Sequence, residues 1–174
     1  FLSLPHGVSH KFVKNFNRKI KIIDLSADFR LDSEKLYSKN YNNDHACPEL
    51  LNQFIYGLPE INKNIINTNF DIAVPGCYPT SVLIPLIPLL KKKLIKTDNI
   101  IIDSKSGYSG AGKNIKKKFK FKNLFDSVSA YAIGSHRHMI EIDQELSKIS
   151  KNKIKVFFTP HLIPMFRGIL STIY

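Results

Sequence analysis

The sequence predicts an α/β fold, and three observations carry that prediction. Short runs of branched apolar residues recur along the 174 residues, at 19–24, 70–74, 99–103, 153–159 and 168–174. Two stretches between them, 79–93 and 139–150, have helical length. In the second, Ile142, Leu146 and Ile149 fall on one face. Strands separated by helix-length segments suit sheets with helices on their faces better than an all-α or all-β chain.

Taken in order, Phe1-Leu2-Ser3-Leu4 reads as a strand closed by Pro5. Gly7 and Ser9 turn the chain into a short amphipathic segment that reaches Phe16. Residues 19–24 form a second strand, with Leu25-Ser26-Ala27-Asp28-Phe29-Arg30 at its carboxyl end. From 31 to 69 the chain reads as irregular, rich in Asn, Tyr and Pro. Residues 70–74 form a third strand. Pro79 suits the first turn of the helix that follows, where a missing N–H costs nothing. Pro85 can sit near that start, whereas Pro88 should bend the helix or shift its boundary. Residues 99–103 run as a strand toward a glycine-rich loop, Ser106-Gly107-Tyr108-Ser109-Gly110-Ala111-Gly112. A basic segment at 113–122 precedes the second helix, and the chain closes on two strand-like runs. There is no internal repeat. A change of domain near Cys77 divides the chain into 1–76 and 77–174.

Composition narrows the function. Hydrophobic residues make up 43% and aromatic residues 11% of the chain, enough for a packed core. Lys and Arg outnumber Asp and Glu by 26 to 14, a net charge of +12. The lysines are scattered apart from Lys91-Lys92-Lys93 and Lys116-Lys117-Lys118, and no aromatic pattern suited to base stacking accompanies them. The expectation is a solvated basic surface that attracts small anions, with no nucleic-acid partner. Two cysteines make neither a disulfide framework nor a metal set, and they suit a reducing cytoplasm. No apolar run is long enough for a membrane span. Phe1 stands where Met is expected and Tyr174 lies inside a strand-like run, so the chain reads as a segment of a longer protein.

The candidate chemistry centres on Cys77, in Val74-Pro75-Gly76-Cys77-Tyr78-Pro79-Thr80. It stands where a strand gives way to a helix, and the free N–H groups of a first helical turn favour a thiolate. A cysteine nucleophile needs a base and donors for the developing oxyanion. The histidines are His6, His10, His45, His136, His138 and His161, of which His136 and His138 flank Arg137. Either of that pair can be the base, and the spacing does not choose between them. The loop at 106–112 brings backbone N–H groups within reach of an anionic or flat ligand. Ser26 and Arg30 lie at a strand's carboxyl end, where α/β proteins place ligands. Arg30 either forks onto a phosphate or carboxylate or pairs with Asp28 or Asp32. Cys47, before Pro48, reads as structural.

These segments, in order, resemble the N-acetyl-gamma-glutamyl-phosphate reductases of the semialdehyde dehydrogenase superfamily. The resembling runs are Leu4-Pro5-His6-Gly7-Val8-Ser9, residues 23–31, Tyr56-Gly57-Leu58-Pro59-Glu60, residues 75–80, residues 106–112, His136-Arg137-His138 and residues 159–168. The resemblance implies the carboxyl part of a Rossmann-type NADP-binding domain over 1–76. It implies an α/β substrate and dimerisation domain of the semialdehyde dehydrogenase type over 77–174. It also implies a reaction in which an N-acetyl-glutamyl phosphate is reduced to the semialdehyde by NADPH, through a thioester on Cys77, with phosphate released. His138, or else His136, handles the proton. Pro5, His6, Ser106, Gly107, Gly110 and Gly112 are implied as NADP(H) contacts, and Ser26, Arg30 and Tyr78 as substrate or phosphate contacts. No metal is implied. The implied partners are a small acyl-phosphate substrate and further copies of the chain in a dimer or tetramer. The chain departs from the family in Val74 where asparagine is usual, Lys113 where arginine is frequent and Ile140 where proline is usual. The family's pyrophosphate loop belongs upstream of Phe1, so these 174 residues alone are not expected to turn over substrate.

Overall fold

The computed structural model describes residues 1–16, 20–67, 71–111 and 126–174. Gly112, Lys113 and the basic run at 116–118, singled out above, lie outside the described residues. The chain separates into two units, Phe1–Gly76 and Cys77–Tyr174. Each combines helices with a sheet, so the α/β class read from the sequence is the one observed.

In the first unit, three parallel strands stand in the order β1 (Ile23–Asp24), β3 (Asp71–Ala73), β2 (Phe54–Tyr56). The predicted strand at 1–4 contracts to a single parallel bridge between Leu2 and Asp24. It is held by Leu2 N–H on the Ile23 carbonyl at 2.8 Å and Leu25 N–H on the Leu2 carbonyl at 2.9 Å. Parallel neighbours require crossovers. Those crossovers correct the expectation that 31–69 is irregular: α2 (Glu34–Tyr41), a 3₁₀ turn at Pro48–Gln53, and α3 (Pro59–Ile66) lie there. The Ser33 hydroxyl caps α2 by accepting from Leu36 N–H at 3.4 Å, and Pro59 opens α3. These helices escape a periodicity reading because α2 buries only Tyr37 and α3 fully buries nothing. The core is Val13 from α1 (Ser9–Lys14) with Ile22, Phe29, Cys47, Leu51, Phe54 and Ala73. Phe29 and Phe54 stack with centroids 3.8 Å apart.

The second unit opens with α4 (Cys77–Lys91) and carries a mixed sheet. Its strand order is β5 (Ser129–Ala130), β6 (Phe157–Ile163), β4 (Ile101–Gly107), β7 (Ile169–Ile173). β4 runs parallel to β6 and antiparallel to β7. α4 packs against β7 and against α5 (His138–Ser150). Along β4 and β6, Ile102, Ser104, Ser106, Phe158, Pro160 and Leu162 are buried, while Ile101, Asp103, Lys105, Phe157, Thr159, His161 and Ile163 are not.

Pro88 does not end α4, which continues to Lys91. Both Pro85 and Pro88 are exposed, so water can satisfy the carbonyls that lose a donor. The helix stops at a Schellman turn, with Leu94 N–H on the Leu89 carbonyl at 2.9 Å, Lys93 N–H on the Leu90 carbonyl at 3.0 Å and Lys93 at φ +54°. The glycine-rich loop is in part strand, since β4 extends through Gly107 before a 3₁₀ turn at Tyr108–Ala111. The strand expected at 153–159 starts only at Phe157. The segment before it is claimed by α5, whose Ser147 hydroxyl accepts from Ile154 N–H at 2.9 Å and whose Asp143 carboxylate accepts from Val156 N–H at 2.9 Å. No helix among the described residues is long and apolar enough to cross a membrane.

Candidate active site

Cys77 is the first residue of α4, and it is exposed. The apolar residues Val82, Leu83, Leu86, Ile87 and Leu90 bury one side of this helix and anchor it. That fixes the thiol at the helix start, among N–H groups that no intrahelical carbonyl can satisfy. Cys77 borders a cavity of about 390 Å³ whose wall includes Ser106 and Gly110, Tyr131, and His136 and His138.

His138 is the first residue of α5 and is buried; His136, two residues earlier, is half-buried. Their rings lie edge to face, 4.9 Å apart. His138 backbone N–H donates to His136 Nδ1 at 3.1 Å. Aromatic rings enclose His136: Tyr78 at 5.4 Å, Phe158 at 5.4 Å and Tyr131 at 5.6 Å. Burial, and then the neighbouring Arg137 charge, push its pKa down to about 4. At neutral pH it is therefore an uncharged imidazole.

Tyr78 sits in the wall behind these rings, 3% exposed. Its hydroxyl lies 2.9 Å from that of Tyr131 and donates to the His161 carbonyl at 3.5 Å. Burial, reinforced by the Tyr131 hydroxyl, raises its pKa well above the usual phenol range, and burial raises that of Tyr131 as well. Ser106, at the end of β4, donates from its hydroxyl to the Gly107 carbonyl at 3.0 Å. Gly107 is needed for packing: a Cβ there would stand 2.8 Å from Arg167 N and 2.9 Å from the Met165 carbonyl oxygen. Backbone bonds of 2.9 Å from Gly107, Tyr108 and Ser109 to Gly168, Met165 and Phe166 strap this segment down.

The remaining residues singled out in the sequence belong to the first unit. Ser26 is buried; its hydroxyl donates to Asp24 Oδ2 at 2.6 Å and accepts from Asp28 N–H at 3.1 Å. Arg30, also buried, directs Nε to the Val74 carbonyl at 2.7 Å and Nη2 to the Leu25 carbonyl at 2.9 Å. These two bonds tie the guanidinium to the backbone just beyond β3 and β1. Pro5 and His6 are exposed in the turn before α1, where Gly7 takes φ +81°. The structure thus gathers Cys77, Tyr78, Ser106, Gly107, Gly110, His136 and His138 in one unit, and Pro5, His6, Ser26 and Arg30 in the other.

Tyr131 is the wall residue that the sequence did not disclose. It follows β5, a two-residue strand with no apolar pattern. Only pairing with β6, which places Tyr131 N–H on the Pro160 carbonyl at 3.0 Å, brings it to the cavity.

Known proteins match both units. The family model described as semialdehyde dehydrogenase, NAD binding domain, matches residues 1–69, and that described as semialdehyde dehydrogenase, dimerisation domain, matches 77–174. N-acetyl-gamma-glutamyl-phosphate reductase of Ehrlichia canis is 48% identical over 175 residues, covering 100% of this chain and 50% of its own. The probable chloroplastic N-acetyl-gamma-glutamyl-phosphate reductase of Arabidopsis thaliana is 47% identical, covering 100% of this chain and 43% of its own. The chain thus spans about half the length of the curated relatives it matches. Among solved structures, aspartate semialdehyde dehydrogenase II from Vibrio cholerae aligns with a TM-score of 0.63 at 17% identity, over 98% of this chain and 53% of its own. Aspartate semialdehyde dehydrogenase with NADP from Candida albicans aligns with a TM-score of 0.58 at 13% identity, over 98% of this chain and 48% of its own. These two support the fold.

Proposed function

The chain belongs to the semialdehyde dehydrogenase family, and from that premise we propose that the intact protein reduces an acyl phosphate to an aldehyde. The substrate is N-acetyl-glutamyl 5-phosphate, the product N-acetyl-glutamate 5-semialdehyde, and NADPH the reductant. The observation that carries this reading is the thiol of Cys77 at a helix start, bordering one cavity with His136 and His138. The relatives' shared name supports the choice of acyl phosphate.

Cys77 Sγ attacks the acyl carbon. The bond from that carbon to the phosphate oxygen breaks, phosphate leaves with the electron pair, and a thioester remains on Cys77. Splitting the reduction at a thioester replaces one hard step by two easier ones. His138 takes the thiol proton before attack and returns a proton to the sulfur when the product leaves. A nicotinamide cofactor, when bound, supplies the hydride that reduces the thioester to the aldehyde. The chain has positions that fit such a group. Gly110 borders the cavity, and a Cβ there would crowd Ser106 Oγ at 3.1 Å, so its absence leaves room for a flat ring. Ser106 and Gly110 are the residues that would hold the nicotinamide end. Further copies of the chain complete a homo-oligomer, as the dimerisation description of the matching model suggests. A reducing compartment, such as the cytoplasm, suits the free thiol.

The test is turnover of the acyl phosphate by the intact protein with and without NADPH. Aldehyde should form only with NADPH. Cys77→Ser should lower the rate by about 10³-fold or more and abolish the trapped thioester. Release of the free acid at equal rates under both conditions would identify a cysteine hydrolase instead.

A further inference from the structure

The first unit contains a working copy of the arrangement found at His136. His45 Nδ1 accepts the backbone N–H of Cys47, two residues on, at 3.3 Å. His136 Nδ1 accepts the backbone N–H of His138, also two residues on, at 3.1 Å. A ring nitrogen that accepts an N–H carries no proton, so a neutral imidazole held this way has its proton on Nε2. At His45 that proton is used: Nε2 lies 2.9 Å from the Asp28 carbonyl oxygen and donates to it. At His136 the same nitrogen belongs to a ring in the wall of the Cys77 cavity.

We propose that His136 is a fixed, neutral hydrogen-bond donor, offering Nε2–H to the acyl oxygen as it becomes an oxyanion on Cys77, and that it is not the base. The proposal rests on the thioester reading above and assigns that site a further catalytic role. Three observations converge on it. Nδ1 is committed to the backbone, so Nε2 is the only nitrogen His136 can present to a ligand. The ring is held by Tyr78 of α4, Tyr131 beyond β5, Phe158 of β6 and His138 of α5, so the donor needs no reorganisation during reaction. None of these four carries a carboxylate that would stabilise the imidazolium, and the charge of Arg137 acts against it. A base must accept a proton and become cationic, which this surrounding opposes; a donor need not change its charge. Tyr131 shares the cavity wall, and its hydroxyl is already 2.9 Å from that of Tyr78.

The first arm of the test is nitrogen NMR of the intact wild-type protein with labelled histidine, reading which ring nitrogen of His136 carries the proton. His136→Gln identifies the signal by its disappearance. A single Nε2–H tautomer, unchanged from pH 8 to pH 6, is expected. An Nδ1–H tautomer or an imidazolium at pH 7 overturns the proposal, whatever the protein catalyses. The second arm is the pH dependence of kcat/KM. His136→Gln, which keeps an N–H donor, should retain the acid limb and about tenfold more activity than His136→Ala, whereas His138→Gln should lose that limb. Loss of the limb in both His136 variants but not in His138→Gln would make His136 the base. Wild type that shows the expected tautomer but no NADPH-dependent turnover would sink the reductase reading and leave the tautomer assignment standing.

Discussion

His45 and His136 are the same device in two settings. Each ring is pinned through Nδ1 by the N–H two residues on. Burial lowers both pKa values. What differs is the far nitrogen. Around His45 the network is closed on itself: the His10 ring stacks at 4.7 Å, and its Nδ1 accepts from Ala46 N–H at 2.8 Å. Asp28 accepts from Gly7 N–H at 2.8 Å, His10 N–H at 3.0 Å and the Tyr37 hydroxyl at 2.8 Å. Around His136 the ring is equally confined, but it stands on a cavity. A buried polar cluster whose members satisfy one another specifies a loop conformation. A similar cluster with a donor left toward a cavity can recognise a ligand. The lesson is that residue type, burial and a lowered pKa do not separate structure from chemistry; the far nitrogen's partner does.

The comparison breaks first at Asp28. Asp28→Ala removes the acceptor shared by Gly7, His10 and Tyr37 and strands buried donors, so the first unit should lose about 3 kcal/mol of stability. Urea unfolding of the intact protein, read by hydrogen exchange over 1–76, measures it. A loss below about 0.5 kcal/mol would show that the closed network does not hold that loop.

Acid is the next probe. Burial lowers the pKa of His10 and of His45, so the unfolded chain binds more protons than the folded one once pH drops below the ordinary value of 6.5. The stability of the first unit should be flat above pH 6.5 and decline as pH falls from there toward 5. His45→Gln should lessen that decline. A constant exchange rate over 1–76 between pH 7.5 and 5.5 contradicts it.

The smallest effect is expected at the cavity wall. Tyr78→Phe keeps the ring against both histidines but removes the hydroxyl beside Tyr131. The cost should be about 1 kcal/mol of stability and less than tenfold in kcat/KM. A thermal melt with steady-state kinetics measures both. A hundredfold loss in kcat/KM at unchanged melting temperature would move Tyr78 from the wall into the reaction.

The legible parts of this chain were those where pattern and chemistry coincide locally. Val74-Pro75-Gly76-Cys77 ends one apolar run and begins another, so a thiol at a helix start could be read directly. The helix at 138–150 declared itself through Ile142 and Leu146, both fully buried. By contrast, α2 and α3 bury too little to leave a stripe. Arg30 was read as a possible anion fork because its position at a strand end is suggestive. Which carbonyls would meet it depends on Val74, 44 residues away.

Sequence alone determined the α/β class, the thiol at the head of α4 and the ordered motifs that mark the family. All of these depend on residues within a few positions of one another. Tertiary structure alone decided which histidine closes on the protein and which is left to a cavity. It also decided that Tyr131 joins Cys77 across 54 positions and that Arg30 grips backbone. Those outcomes depend on strand pairing and burial, which bring distant donors and acceptors to hydrogen-bond distance and make a missing partner costly.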